Sequence, residues 1–274
     1  MDLKKLLTRT ISGLIYCLII IGLILIGPYG VLALGVVLGA MACIEFAKIS
    51  HDLTPRTIPV LILDIAGIIF LCLGFLGYTL IVWLALMIFR VVEEIYINSD
   101  TPLRDLAHSY MSQIYIGVPL GIMVAIGWLL SPMILLVLFF FLWINDTGAF
   151  LVGSMMGRHK LLERISPKKT WEGFFGGLII CMAAAPLFYY FGNDFYGMNT
   201  IRADLGIWMG MAAIVSIFGT WGDLVESMIK RNLHIKDSGT IMPGHGGILD
   251  RIDSLLLALP ALAVYFAIII YLQS

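Results

Sequence analysis

Long apolar runs separated by short polar connectors dominate this chain from end to end. A bilayer-spanning helix needs roughly 20 mostly apolar residues. About nine segments approach that length: 11–27, 30–48, 57–76, 78–92, 113–130, 132–152, 173–192, 204–224 and 249–272. The fourth is short, which leaves eight or ten crossings open. Helices are expected rather than a barrel because the runs are continuous, whereas barrel strands alternate over about ten residues. The fold expected is therefore an all-α polytopic integral membrane protein with about nine transmembrane helices, divided into an N-terminal region over 1–112 and a C-terminal region over 113–274.

Composition agrees. Of 274 residues, 60% are hydrophobic and 13% charged, against about 25% charged in an ordinary soluble domain. The basic start (Lys4, Lys5, Arg9) followed by an apolar run has the look of a signal peptide. No clear small-residue cleavage site follows Gly27 and Pro28, so the first segment reads as a retained span. Cys17, Cys43, Cys72 and Cys181 all fall inside apolar segments without metal spacing, and read as buried free thiols. A net charge of −1 gives no sign of a nucleic-acid partner, and the chain has no basic-aromatic surface.

With nine alternating spans and a cytoplasmic N-terminus, the inner loops would be 1–10, 49–56, 93–112, 153–172 and 225–248. Sixteen of the seventeen Lys and Arg residues then lie in or beside these loops, Arg202 being the exception. The positive-inside rule requires that bias. In this arrangement the polar residues of the C-terminal half converge on one membrane face, where cytoplasmic solutes and inner-leaflet lipid meet.

Several residues there are costly to place in a membrane. Asp146, in FLWINDTGAFLVG, lies inside an apolar segment, where a central aspartate costs roughly 2.5–3.5 kcal/mol. A hydrogen-bonded acid at a helix break near Gly148 is the bland reading; a cation or substrate ligand is favoured. Asp223, Glu226, Ser227 and Lys230 stand at i, i+3, i+4 and i+7, which makes one helical stripe. Asp250 and Asp253 open the last apolar segment, flanking Arg251 directly after PGHGG. One such acid merely complements the helix dipole; two invite a further role. Carboxylates from separate helices, without cysteine or paired histidine ligands, point to a hard cation such as Mg²⁺. Asp223 and Asp250 are the expected ligands, with a second cation left open.

Basic residues supply the complement. Lys168 and Lys169 follow Ser166-Pro167 and precede a helix beginning near Trp171, where phosphates are readily bound. Lys230, Arg231, Lys236 and Arg251 are further candidates, although any of them also serves topology or anionic-lipid attraction. Gly244, Gly246 and Gly247 let backbone N–H groups approach an anion closely. The role of His245 stays open.

Together these residues resemble the phosphatidate cytidylyltransferase (CDP-diacylglycerol synthase) family. Its signature is matched by Ser227, Lys230-Arg231, Lys236-Asp237, His245-Gly246-Gly247 and Asp250-Arg251-Ile252-Asp253, with Met242 where Leu, Ile or Phe is expected. NDTGAF (145–150), Gly157-Arg158, SPKKTWEG (166–173) and Gly222-Asp223 are also family-like. The resemblance is strong over about 143–254 and only architectural before that. It implies transfer of CMP from CTP to phosphatidic acid, releasing pyrophosphate and giving CDP-diacylglycerol, with Mg²⁺, in a homodimer of the bacterial inner membrane. The roles expected on that basis give Lys168, Lys169, Lys230, Arg231 and Arg251 to phosphate charge and Ser227 to a phosphate oxygen. Asp146, Asp237 and Asp253 would ligate a further cation or orient the basic groups. Ser166, Lys236, His245, Gly246 and Gly247 complete the substrate site.

Two rivals remain at this stage. A CTP-dependent lipid-alcohol kinase would share nucleotide and cation but transfer the γ-phosphate. An ion-coupled transporter would place charges near the midplane and carry inverted repeats; no repeat is found. The role of Glu45, Asp64, Glu93 and Glu94 is left open between structure and a lipid entrance.

Overall fold

The computed structural model describes residues 3–50, 57–192, 204–241 and 246–274. Met242, Gly244 and His245 lie outside the described residues. Among the described residues ten α-helices follow in order: α1 (Leu3–Ile26), α2 (Pro28–Ile49), α3 (Ile58–Cys72), α4 (Tyr78–Tyr96), α5 (Pro102–Met111), α6 (Val118–Leu129), α7 (Pro132–Met156), α8 (Trp171–Gly192), α9 (Leu205–Asn232) and α10 (Leu249–Gln273). Between α7 and α8 stands an antiparallel hairpin, β1 (Lys160–Leu162) with β2 (Ser166–Thr170).

Every apolar segment anticipated from the sequence falls on a helix, so the helical membrane architecture holds. Among the described residues, six helical stretches are long and apolar enough to cross a bilayer: Pro28–Ile49, Pro102–Leu129, Pro132–Met156, Trp171–Tyr190, Leu205–Asn232 and Leu249–Gln273. Six rather than about nine meet that test. The apolar parts of the first and third helices, Thr10–Ile26 and Ile58–Cys72, are shorter, and α4 carries Arg90, Glu93 and Glu94 near its end. Two other expectations change. The segment 93–112 is not simply a connector, since α5 starts at Pro102 and runs through a π-helical turn at Ser112–Gly117 into α6. The connector at 153–172 contains the hairpin, so the fold is all-α with a two-stranded exception.

The chain forms two compact units, Met1–Trp128 with Asp237–Arg251, and Leu129–Lys236 with Ile252–Ser274. In the first, charges that would be expensive in lipid are matched internally. Arg90, 2% exposed, pairs with Glu94 at 2.6 Å one turn on and donates from Nε to Ser109 Oγ at 3.2 Å. Ser109 donates in turn to Asp64 Oδ2 at 3.2 Å, and Gln113 from the π-turn donates to the Asp64 carbonyl at 2.8 Å. This network gives Asp64 and Glu94 a structural account within α3–α6. All four cysteines are free thiols; three are buried and Cys17 is partly so.

In the second unit α7 and α8 approach closely along small residues, as helices in lipid do when packing rather than hydrophobicity drives association. A Cβ on Gly177 would stand 2.6 Å from Asn145 Oδ1 and 2.8 Å from the Asn145 carbonyl. Gly177→Leu is therefore expected to cost about 1–3 kcal/mol by overpacking, and to displace Asn145. Thermal unfolding in detergent several degrees below wild type checks this; an unchanged melting temperature would contradict the packing.

Candidate functional site

The site in the second unit is built from the middle of α7, the end of β2 and the C-terminal half of α9. Asn145, 1% exposed, ties two of these together. Its amide nitrogen donates to Thr220 Oγ1 at 3.3 Å, and its Oδ1 accepts from the Ser216 hydroxyl. Thr220 spends its own proton on the Ser216 carbonyl at 2.9 Å. Each hydroxyl has one proton to give, so this triad has one consistent set of donors and acceptors and locks α7 against α9. The next residue along α7 is Asp146, and the next turn of α9 carries Asp223.

The hairpin delivers the lysines. Leu161 and Ile165 pack with Leu224 and Phe174 in a small apolar cluster, seating the hairpin on α8 and α9. The Glu172 carboxylate closes its base, accepting from the Arg158 N–H at 3.1 Å and the His159 N–H at 3.2 Å while meeting His159 Nδ1 at 2.6 Å. Thr170 Oγ1 then accepts from Gly173 N at 3.2 Å and caps the start of α8. A hairpin held at both ends presents Lys168 and Lys169, on β2, in a fixed direction.

These elements enclose a cavity of about 430 Å³, within the range of small-molecule sites. Its polar wall is Asn145, Asp146, Ser154, Lys168, Lys169, Thr170, Thr220 and Asp223; Ala149, Phe150, Leu161 and Phe174 line the apolar side. Lys169 Nζ lies 2.6 Å from Asp223 Oδ2 and 3.4 Å from the Thr220 carbonyl. Ser227 donates to Asp223 Oδ1 at 3.2 Å. Asp253, partly buried, has its carboxylate repelled by those of Asp223, Glu226 and Asp146. Several acids facing one another beside two lysines make a site suited to a cation and a phosphorylated ligand together.

A model of the cytidylyltransferase family matches residues 7–269. The chain belongs to that family. Among curated relatives, the phosphatidate cytidylyltransferase of Staphylococcus aureus strain COL is 49% identical over 128 residues, which is 46% of this chain and 46% of the relative. That of Staphylococcus haemolyticus strain JCSC1435 is 45% identical over 164 residues, 58% of each chain. The matched stretch thus spans about half the length of these relatives.

Of the site residues expected from the sequence, the cavity gathers Asp146, Lys168, Lys169 and Asp223. Ser227 joins through Asp223. Ser166 begins β2 opposite Leu162 and is not on the cavity wall. Lys230 pairs with buried Glu226 one turn earlier. The Arg231 guanidinium donates to the carbonyls of Ile165, at 3.4 Å, and Ile235, at 3.2 Å, stapling the hairpin to the end of α9. Lys236 and Asp237 are exposed. In the first unit, Asp250 Oδ2 accepts from Ser238 N at 2.9 Å and Gly247 N at 2.8 Å, with Ser238 Oγ, whose one proton goes to Glu45, 2.9 Å away. The Arg251 carbonyl accepts from Tyr16 at 3.1 Å.

Sequence reasoning passed over Ser216 and Thr220, and named Asn145 and Thr170 only within family-like motifs, without a role. Their signal was available: each is a polar residue beside an apolar run and within a few positions of Asp146, Gly173 or Asp223. Among the described residues, no three His, Cys, Asp or Glu side chains form a ready metal cage. Mg²⁺ does not need one, because it keeps waters and binds through one or two carboxylates plus substrate phosphates. The all-oxygen donors at the cavity fit such an ion.

Proposed function

We propose that this protein is a phosphatidate cytidylyltransferase, joining CTP and phosphatidic acid to give CDP-diacylglycerol and pyrophosphate. The supporting observation is one cavity that combines Lys168, Lys169, Asp146 and Asp223 with an apolar wall, in a chain of the cytidylyltransferase family. The lipid's phosphate oxygen forms the new bond to the α-phosphorus of CTP while the bond to the bridging α–β oxygen breaks, and that oxygen leaves with pyrophosphate. A phosphate monoester has a second pKa of about 6, so the nucleophile is already ionised near neutral pH. The obstacle is bringing two polyanions into line.

Lys168 and Lys169 neutralise phosphate oxygens at the cavity mouth. Asp223 serves as a cation ligand, with Ser227 fixing its Oδ1. Asp146 and Asp253 keep the local charge favourable to a second cation or orient the lysines. Phe150, Leu161 and Phe174 offer the lipid's glycerol end an apolar surface. Mg²⁺, when bound, supplies charge neutralisation on the triphosphate. The Lys and Arg distribution favours a cytoplasmic opening of this site, and the family resemblance favours a homodimer.

The decisive assay gives purified protein CTP, Mg²⁺ and phosphatidate. Label at the α-phosphate of CTP is expected in the lipid product, and γ-label in released pyrophosphate. EDTA is expected to stop the reaction and added Mg²⁺ to restore it. Incorporation of γ-label would instead establish a lipid kinase, and full turnover in EDTA would remove the cation.

A further inference from the structure

The glycine turn before α10 was read from sequence as a seat for a substrate anion. In the structure, main-chain N–H groups of that turn are directed at carboxylates of the chain itself. Glu45, on α2 and 2% exposed, accepts from Ile248 N at 2.8 Å and from Leu249 N at 3.2 Å. These are N–H groups at the beginning of α10, where helical partners are lacking, and a carboxylate there also meets the positive end of the helix dipole. The Ser238 hydroxyl lies within bonding reach of both Glu45 and Asp250, and Asp250 takes Gly247 N as well.

The glycines follow from this arrangement. A Cβ on Gly247 would collide with the Glu45 carboxylate, and one on Gly239 would stand 2.9 Å from its Oε2. Gly246 adopts φ +87° and faces the Asp250 carboxylate. Only the last of these needs glycine for its backbone conformation; at 239 and 247 the missing Cβ makes room for Glu45. A buried carboxylate is tolerable when hydrogen bonds replace its water, and Glu45 receives such bonds from Ser238, Ile248 and Leu249.

We propose that Glu45 is a positioning residue for the reaction: its carboxylate fills the cradle formed by Ser238, Gly239 and the N–H groups of Ile248 and Leu249, and thereby holds the Asp250 carboxylate in place. The proposal rests on the phosphatidate cytidylyltransferase reading for its kinetic part only. Glu45→Gln keeps size but sets an amide NH₂ among donors. It is expected to lower kcat about 10- to 100-fold, as loss of an orienting partner typically does, with the KM for CTP and for phosphatidate near wild type, since Glu45 does not line the candidate cavity.

The specific test couples two positions. Gly247→Ala alone is expected to inactivate, because its methyl group strikes Glu45. Adding Glu45→Asp, which withdraws the carboxylate by one methylene, is expected to restore a measurable part of the activity. Independently of turnover, the Ile248 and Leu249 amides are expected to be protected from hydrogen exchange in the wild type and to exchange faster in Glu45→Gln. Full kcat in Glu45→Gln, equal damage from Gly247→Ala whichever acid stands at 45, or unchanged exchange would each overturn the proposal. If the wild type makes no liponucleotide, the functional reading fails while the exchange measurement still decides the cradle.

Discussion

Asp223→Asn is expected to lower turnover by about a thousand-fold or more, in the range lost when charge stabilisation of a transition state is removed, while the protein stays folded. The substitution keeps shape and leaves an oxygen to accept from Ser227, now 3.2 Å from Oδ1. What disappears is the negative charge. That charge has two opposing effects on the fold: it attracts Lys169 at 2.6 Å and repels Asp253. Removing it loses an ion pair whose partners are both about a quarter to a third exposed, so screening limits its contribution. It also relieves repulsion among neighbouring acids. The melting temperature is therefore expected to stay close to wild type or to rise, the pattern of a residue kept for chemistry at some expense to stability. Turnover and thermal unfolding measured on the same detergent preparation separate the two. Wild-type turnover would take Asp223 out of the site; a large fall in melting temperature would make its role structural.

The helices were legible because apolar runs of membrane-spanning length have few other solutions. The number of crossings was less so, since α4 reads as apolar until Arg90 and Glu94 are seen to neutralise each other a turn apart. The hairpin escaped notice because a three-residue β1 and the short SPKKT strand have no periodicity to detect. Residue types at the site were legible and their pairings were not. Asp223 and Lys230 were read as one polar stripe, yet the first bonds Lys169 from the hairpin and the second bonds Glu226. Glu45 is the clearest case. Its partners lie 193 to 204 positions away, so no local pattern announces that the glycine turn is already occupied by a carboxylate of the same chain.

Asp250→Asn tests whether Asp250 is itself a cation ligand or only fixes a turn. Two main-chain N–H groups, of Ser238 and Gly247, converge on Asp250 Oδ2, with the Ser238 hydroxyl 2.9 Å away. An asparagine can place its carbonyl oxygen there and keep those bonds, at the cost of the negative charge that strengthens them. A residue that merely pins the turn would then lose little. A cation ligand would lose much, since a neutral amide binds Mg²⁺ far less well than a carboxylate. The expected result is a fall in turnover of at least about a hundred-fold, with the Mg²⁺ concentration for half-maximal activity raised. Ser238→Ala provides the contrast. It removes the Oγ bond to Glu45 and the Oγ contact with Asp250 but leaves both charges and the Ser238 N–H in place. Its turnover is expected to fall less, with the Mg²⁺ requirement unchanged. If Asp250→Asn behaves like Ser238→Ala in both measurements, Asp250 is a positioning residue and the cation is held by other groups.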